Sequence, residues 1–184
     1  DSGLLKYNPS TEKFIHYQVN ANDQSTISSN AISNIYQDSE QNIWIATDNG
    51  LSIYDNKNNS FSRYNNSPNN TYSISNDYVL TFFEDANKMM WVGTFSGVNR
   101  WDPNMATFRQ YSTQTNPILK NHNVTSFVQF DKDNLYFSTY SGGIYLLSND
   151  NSSILPADFN ADFLEYRIMS PFADGNTLWV GTRT

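Results

Sequence analysis

The sequence predicts an all-β protein built from repeated four-stranded antiparallel sheets, and three observations support this prediction. A short pattern with an aromatic residue at its third position occurs four times in the 184 residues, around Trp44, Trp91, Tyr136 and Trp179. These residues lie 47, 45 and 43 positions apart (44 to 91, 91 to 136 and 136 to 179). Other glycines and aromatic residues recur at the same distance. No window of useful length shows apolar residues at helical spacing free of Gly, Pro or Asn, so we expect almost no helix.

Each repeat reads as four short strands separated by turn residues. The inner strand comes first; 78–83, for example, is a nearly continuous apolar run, which suits a strand covered on both faces. An aspartate turn leads to the second strand, which carries the aromatic residue. A Gly-Leu-x-x-Tyr-Asp pattern forms the third strand, and a Phe-x-x-Tyr pattern forms the fourth. The recurring residues of the last two strands, 47 positions apart within each set, are Gly3, Gly50 and Gly97; Phe14, Phe61 and Phe108; and Tyr17, Tyr64 and Tyr111.

These units are predicted to be blades of a β-propeller. A unit of about 45 residues buries little surface alone, so neighbouring sheets must stack face to face. Burial of one tryptophan contributes roughly 4 to 6 kcal/mol as an upper bound, so we expect the aromatic residue of every blade to be a main source of stability. A small residue near each aromatic residue would let the adjacent sheet approach: Ala46, Gly93, Ser138 and Gly181.

The chain holds about four blade equivalents. We predict the end of a blade at 1–31, blades at 32–78, 79–123 and 124–167, and the start of a blade at 168–184, completed by 1–31 or by a missing continuation. The chain could close on itself, pair with a second copy or be a segment of a longer array. Because the sequence has no initiator Met and both ends interrupt a blade, we expect a segment of a larger propeller.

Composition excludes several functions. The net charge of -7, from 11 basic and 18 acidic residues, opposes nucleic-acid binding. The absence of cysteine excludes disulfides, thiol catalysis and cysteine-bound zinc. No apolar run is long enough to span a bilayer, so we expect no membrane contact by this segment. Nothing in the sequence indicates a cofactor.

Catalytic and metal-binding constellations are not found in the sequence. Of the two histidines, His16 is expected on a solvated strand, whereas His122 precedes an inner strand and is a candidate for ligand contact. The aspartates that recur between the first and second strands are expected to accept backbone N–H bonds in turns rather than to act as paired acid and base. They are Asp38, Asp85, Asp131 and Asp174.

The candidate ligand-binding residues lie in two sets of loops in which the repeats differ. In a propeller, the loop after the second strand and the loop before the inner strand open on the same face. Amides and carboxylates beside exposed rings can bind sugar hydroxyls and stack on sugar faces; alternatively, the Asn and Ser residues only make turns. The first loops contribute Asp48, Asn49, Phe95, Tyr140 and Arg183, and the second contribute Asn76, Asp77 and His122.

The combined motifs resemble the two-component regulator propeller repeat over essentially the whole chain. The match is strong from Trp44 to Tyr64 and from Trp91 to Tyr111. It weakens in the next repeat, where Tyr136 replaces Trp and Ser138 replaces Gly.

This resemblance implies the extracytoplasmic, periplasmic sensor region of a bacterial hybrid two-component protein, ahead of a β-sandwich, a membrane helix and a histidine kinase. Such regions often detect oligosaccharides and control genes of glycan utilisation. The expected partners are therefore an oligosaccharide and further propeller blades or a second copy of the chain. Two alternatives are a non-catalytic protein-interaction scaffold and a propeller-fold glycan-active enzyme; the near absence of histidine disfavours the enzyme.

Overall fold

The computed structural model describes residues 2–119, 121–129, 133–148 and 153–183. These residues form β-strands and one short 3-10 helix, Asn160–Phe163. The strands of the first part are β1 (Leu4–Asn8), β2 (Lys13–Tyr17), β3 (Ile32–Gln37), β4 (Ile43–Thr47), β5 (Gly50–Asp55), β6 (Ser60–Tyr64), β7 (Val79–Glu84) and β8 (Met90–Thr94). Those of the second part are β9 (Gly97–Asp102), β10 (Thr107–Tyr111), β11 (Val124–Gln129), β12 (Leu135–Thr139), β13 (Gly143–Leu147), β14 (Ile154–Pro156), β15 (Arg167–Asp174) and β16 (Thr177–Arg183).

Every sheet is an antiparallel meander in which each strand pairs with the next along the chain. Three sheets have four strands: β3 to β6, β7 to β10 and β11 to β14. Two further sheets, β1–β2 and β15–β16, have two strands each. The predicted all-β architecture of four-stranded antiparallel blades is therefore confirmed, whereas the exact blade boundaries stay a prediction. No helix among the described residues is long and apolar enough to cross a lipid bilayer.

The four-stranded sheets stack face to face through their aromatic strands. Trp44 of β4 lies in one apolar cluster with Phe82, Val92 and Phe108 of the next sheet, and its ring centroid is 6.0 Å from that of Phe82. Trp91 of β8 in turn lies in one apolar cluster with residues of β11 to β14. Both indoles are buried, with 1% of Trp44 and 0% of Trp91 exposed. Successive sheets thus share one apolar core between their facing surfaces.

Gly93 shows why the residue near the tryptophan must be small. A Cβ added there would lie 2.7 Å from Thr81 Cγ2 of its own sheet and 2.7 Å from Val124 Cγ1 of the next sheet. Such distances are far below a normal van der Waals contact, so the close approach of the two sheets requires glycine at this position.

In the first two four-stranded sheets, a buried aspartate in the turn before the second strand is hydrogen-bonded to both the turn and the tryptophan. Asp85 Oδ1 accepts hydrogen bonds from the backbone N–H groups of Asn87 (2.8 Å) and Met89 (3.0 Å). Its Oδ2 accepts one from Trp91 Nε1 at 2.8 Å. Asp38 does the same for its turn and for Trp44 Nε1, also at 2.8 Å. The turn interpretation is confirmed for these two residues.

The same interpretation is wrong for Asp174, and Asp131 lies outside the described residues. Asp174 is an exposed strand residue paired with Thr177 across a tight hairpin at Gly175, whose φ is 56°. This repeat has five positions between aspartate and tryptophan (174 to 179) instead of six (38 to 44), so the turn is too short to wrap around the carboxylate.

The expectation of a buried aromatic residue in every blade is also wrong for the last one. Trp179 is 62% exposed and Phe172 on the paired strand is 63% exposed. The β15–β16 sheet has neither a third strand nor a sheet stacked on this face among the described residues, so the rings stay uncovered. Tyr136 is half-buried and packs beside Ile144 and Ile168.

We predict that Gly93→Ala lowers the free energy of unfolding by about 1 to 3 kcal/mol, because the added methyl group overpacks the interface between two sheets. The matched control is Gly181→Ala, where the nearest atom to the new Cβ is Ser170 O at 3.3 Å. The control should cost less than about 0.5 kcal/mol. Urea unfolding followed by circular dichroism measures both; equal losses would contradict the proposed role of glycine in sheet stacking.

Trp91→Ala should lower the free energy of unfolding by about 3 to 5 kcal/mol through cavity formation. Trp179→Ala, at the equivalent position of the uncovered sheet, should cost less than about 1 kcal/mol because its side chain has little burial to lose. The comparison uses the same urea titration. A large loss for Trp179→Ala would mean that this ring is covered in solution.

Candidate functional site

Both sets of predicted loops meet at one end of the sheets. The first residue after the second strand donates its backbone N–H to the residue that precedes the inner strand. This bond occurs three times: Asp48 N to Ala31 O (3.3 Å), Phe95 N to Tyr78 O (3.0 Å) and Tyr140 N to Asn123 O (3.0 Å). We call the end of the sheets formed by 29–31, 48–49, 76–78, 95–96, 121–123 and 140–142 the loop face.

Several polar side chains on the loop face have structural tasks that repeat from sheet to sheet. Asn76 Oδ1 accepts the backbone N–H of Tyr78 at 2.8 Å. Asn121 Oδ1 accepts that of Asn123 at 3.0 Å in the same way. Because the contact recurs at equivalent positions, Asn76 builds the loop, as the turn alternative predicts for asparagine.

Asp77 and its counterpart Asn30 also have a shared task. Asp77 Oδ1 accepts the backbone N–H of Asn66 at 2.6 Å, and Asn30 Oδ1 accepts that of Val19 at 2.8 Å. Each side chain thereby caps the chain just after the fourth strand of the preceding sheet. Asp77 Oδ1 also accepts a bond from Asn65 Nδ2 at 3.2 Å, so this oxygen is occupied twice.

His122 stands at the third equivalent position and lacks this task. Its Nδ1 is buried and has no hydrogen-bond partner in the described part of the chain. The loop that leads to it is two residues shorter, with 11 positions from Tyr111 to His122 against 13 from Tyr64 to Asp77. The shortened loop forms a local turn, in which the backbone N–H of Ser112 donates to Thr115 Oγ1 at 2.9 Å. A buried polar atom is thus free for another partner.

His122 lines a polar cleft of about 470 Å³ between the two long loops of the second sheet. Of the described residues around the cleft, none is a lysine, arginine, aspartate or glutamate. The side chains of Thr113 and Gln114 make no hydrogen bond within the described part of the chain, so they are available to a ligand. The lining residues are Asn66, Ser67, Pro68, Asn70, Thr71, Ser75, Ser96, Gln110, Ser112, Thr113, Gln114, Thr115 and His122.

Phe95 lies beside this cleft through its neighbour Ser96. Its ring is 46% exposed and its centroid is 5.3 Å from that of Tyr78. Asn76 and Asp77 follow Ser75 of the cleft wall, but the Oδ1 atom of each accepts a hydrogen bond within the protein. Of the predicted site residues, His122 therefore lines the cleft and Phe95 adjoins it.

Of the remaining predicted residues, three lie elsewhere on the loop face and Arg183 lies outside it. Asn49 Nδ2 donates to Ser28 O at 3.4 Å in the first sheet, next to Asp48. Arg183 is a strand residue at the end of β16, directly opposite Arg167. The guanidinium carbon of Arg167 lies 5.5 Å from the ring centroid of Tyr140. Asp48, Asn49, Tyr140 and Arg183 are thus separate from the cleft.

Sequence reasoning missed most of the cleft wall. Ser112, Thr113, Gln114 and Thr115 form a polar run in the shortened loop, and Asn66 lies in the loop before it. The difference in loop length between repeats was the available signal. No group of three His, Asp or Glu residues within the described ranges is placed to hold a metal ion.

Comparison with known families gives the class of this fold. Residues 26–49 and 73–96 match the family model described as two component regulator propeller. The chain therefore carries two-component regulator propeller repeats, as the sequence motifs predicted. No curated protein matches the chain.

Solved structures give particular relatives. The extracellular domain of the putative hybrid two component system BT3049 from B. thetaiotaomicron is 26% identical, with a TM-score of 0.79 over 98% of this chain and 25% of that one. The extracellular domain of the putative one component system BT4673 from the same organism is 24% identical, with a TM-score of 0.76 over 98% of this chain and 26% of that one. This chain spans about a quarter of the length of either relative.

A more distant likeness shares only the fold. YCF48 from Cyanidioschyzon merolae is 12% identical, with a TM-score of 0.56 over 85% of this chain and 49% of that one.

We predict that Asp77→Ala lowers the free energy of unfolding by about 1 to 3 kcal/mol, because two N–H donors lose their acceptor. His122→Ala should change it by less than about 1 kcal/mol, since the ring nitrogen makes no bond to lose. Asp77→Asn, which keeps an acceptor oxygen, should recover most of the loss. Thermal and urea unfolding measure all three; a large loss for His122→Ala would assign that residue a structural role.

Proposed function

We propose that this chain is part of the ligand-sensing region of an extracytoplasmic two-component signalling protein, and that its polar cleft binds a neutral oligosaccharide. The observation that carries the proposal is His122, whose buried Nδ1 has no partner while its two counterparts are occupied in structural bonds. The residue that carries this unused atom is one of those that line the cleft.

The chemistry of the cleft suits sugar hydroxyls. Amide and hydroxyl side chains both donate and accept hydrogen bonds, as does a sugar hydroxyl, so each can pair with it in either direction. The described lining contains no lysine, arginine, aspartate or glutamate, which favours a neutral ligand. The volume of about 470 Å³ lies within the range of roughly 300 to 1,000 Å³ that is usual for small-molecule sites.

The predicted residues take different roles in this proposal. His122 would bind a hydroxyl directly, and the exposed ring of Phe95 would offer an apolar surface to a sugar face. Asn76 and Asp77 would hold the loop that forms the wall. Asp48, Asn49, Tyr140 and Arg183 would meet only a ligand that extends along the loop face.

The signalling role is supported by the likeness to the extracellular domain of a putative hybrid two component system, at 26% identity over 98% of this chain. On this proposal the segment lies in the periplasm and has no chemistry of its own. The protein that contains it would carry a histidine kinase and would control transcription of glycan-utilisation genes.

A second candidate function, a protein-interaction scaffold, is favoured by the uncovered aromatic residues of the two-stranded sheets. Phe14, Phe172 and Trp179 are each more than 60% exposed, at 65%, 63% and 62%. Exposed rings of this size indicate contact with another polypeptide, either further blades or a second copy of the chain. This function would not use the cleft.

Isothermal titration calorimetry with a panel of neutral di-, tri- and tetrasaccharides tests the sensing proposal. At least one sugar should bind the chain, and His122→Ala should weaken its binding by about tenfold or more through loss of a hydrogen bond.

Asn30→Ala is the matched control, since it changes the equivalent position of another repeat, away from the cleft. It should lower stability and leave the affinity for the sugar unchanged. Failure of every sugar to bind would overturn the proposal, and concentration-dependent association of the chain would then favour the scaffold.

A further inference from the structure

The last two strands of the second four-stranded sheet carry two arginines directly opposite each other. Arg100 on β9 pairs with Arg109 on β10 in antiparallel register. Like charges at directly opposed positions repel each other. The equivalent pairs in the neighbouring sheets are Ile53 with Ser62 and Leu146 with Leu155, which carry no charge. The paired arginines are therefore a departure from the repeat.

Neither arginine is neutralised within the described part of the protein. Arg100 Nε is buried and has no hydrogen-bond partner there. Arg109 is exposed, and its guanidinium carbon lies 5.4 Å from the ring centroid of Tyr111. Neither side chain forms an ion pair with a described residue. A buried charged donor without an acceptor is costly, so its presence indicates an acceptor that comes from outside.

Both arginines line one cavity of about 360 Å³. Asp102 is the sole acidic residue among the described lining residues, and its Oδ1 already accepts the backbone N–H groups of Asn104 (3.0 Å) and Met105 (3.4 Å). Two arginines and one aspartate leave the lining with a formal charge of +1, within a chain of net charge -7. Thr107 adds a hydroxyl group to the same wall.

We propose that this cavity binds an oxyanion, held between the guanidinium groups of Arg100 and Arg109. Arginine presents a planar fork of N–H donors that matches the oxygens of carboxylate, sulfate and phosphate groups. The bound anion supplies the acceptor that Arg100 Nε lacks and removes the repulsion between the two cations. This site is distinct from the polar cleft, although Thr71, Gln110 and Thr115 line both. It does not depend on the sugar-binding proposal.

The test uses sulfate, inorganic phosphate and glucuronate as probes, with glucose as the uncharged counterpart of glucuronate. Binding is followed by the rise in melting temperature and by calorimetry, in a buffer of low ionic strength that lacks oxyanions. At least one anion should bind and stabilise the chain, and glucose should not act at this site. Glucuronate alone would identify a sugar carboxylate, whereas sulfate or phosphate alone would identify an inorganic or ester-type anion.

The two test variants are Arg100→Ile and Arg109→Ser. Each replaces an arginine with the residue found at the equivalent position of the first four-stranded sheet. Each should weaken anion binding by about tenfold or more, as expected when one of two charge-assisted contacts is lost. Without anions, Arg100→Ile should melt at or above the temperature of the wild type, because it removes a cation from an opposed pair. This second readout separates loss of binding from loss of folding.

Arg183→Ser is the matched control. It removes the same charge from another opposed arginine pair, Arg167 with Arg183, which does not line this cavity. Its binding of anions should equal that of the wild type. The proposal is overturned if no anion binds the wild type, if glucose binds as well as glucuronate and is equally affected by Arg100→Ile, or if Arg183→Ser weakens anion binding as much as Arg100→Ile.

Discussion

The hydrogen bond between a buried aspartate and a tryptophan indole sets the geometry on which the stacked sheets depend. In the first two full sheets, one carboxylate fixes the turn through backbone N–H groups and orients the indole through Nε1. The oriented ring then fills the gap to the next sheet, which glycine at position 93 allows to come close. Because both carboxylates are buried and fully engaged, they are structural groups and not candidates for acid or base catalysis.

The sheets are further linked at the same turns by side chains of the next inner strand. Glu84 Oε2 accepts the backbone N–H of Ser39 at 2.8 Å, and Gln129 Oε1 accepts that of Ala86 at 3.0 Å. The turn that holds the tryptophan is thus also held by the sheet on which the tryptophan packs. Contacts between successive sheets therefore stabilise the structure in the manner of repeat proteins.

The fold could be predicted from the sequence because its determinants are local and repeated. Spacing alone identified the strands, the stacking and the need for a small residue near the aromatic position. The exposure of the Trp179 side chain could not be predicted in this way, since its burial depends on a neighbouring sheet and not on the motif itself. Of the residues in and beside the cleft wall, the sequence singled out His122 and Phe95 together with Asn76 and Asp77, because the other polar residues of the wall are typical of turns. Whether an asparagine such as Asn76 faces a ligand or its own backbone depends on the path of the loop.

Differences between repeats indicate positions at which a side chain lacks the structural role of its counterparts in the other sheets. At positions 30, 77 and 122, two side chains cap a backbone N–H and the third is left without a partner because its loop is two residues shorter. At positions 53, 100 and 146, two apolar residues flank an arginine that also lacks a partner at Nε. Both departures line cavities of the second sheet that share the wall formed by Thr71, Gln110 and Thr115. Since a buried polar atom without a partner costs stability, we propose that ligands at the two adjacent cavities account for both departures.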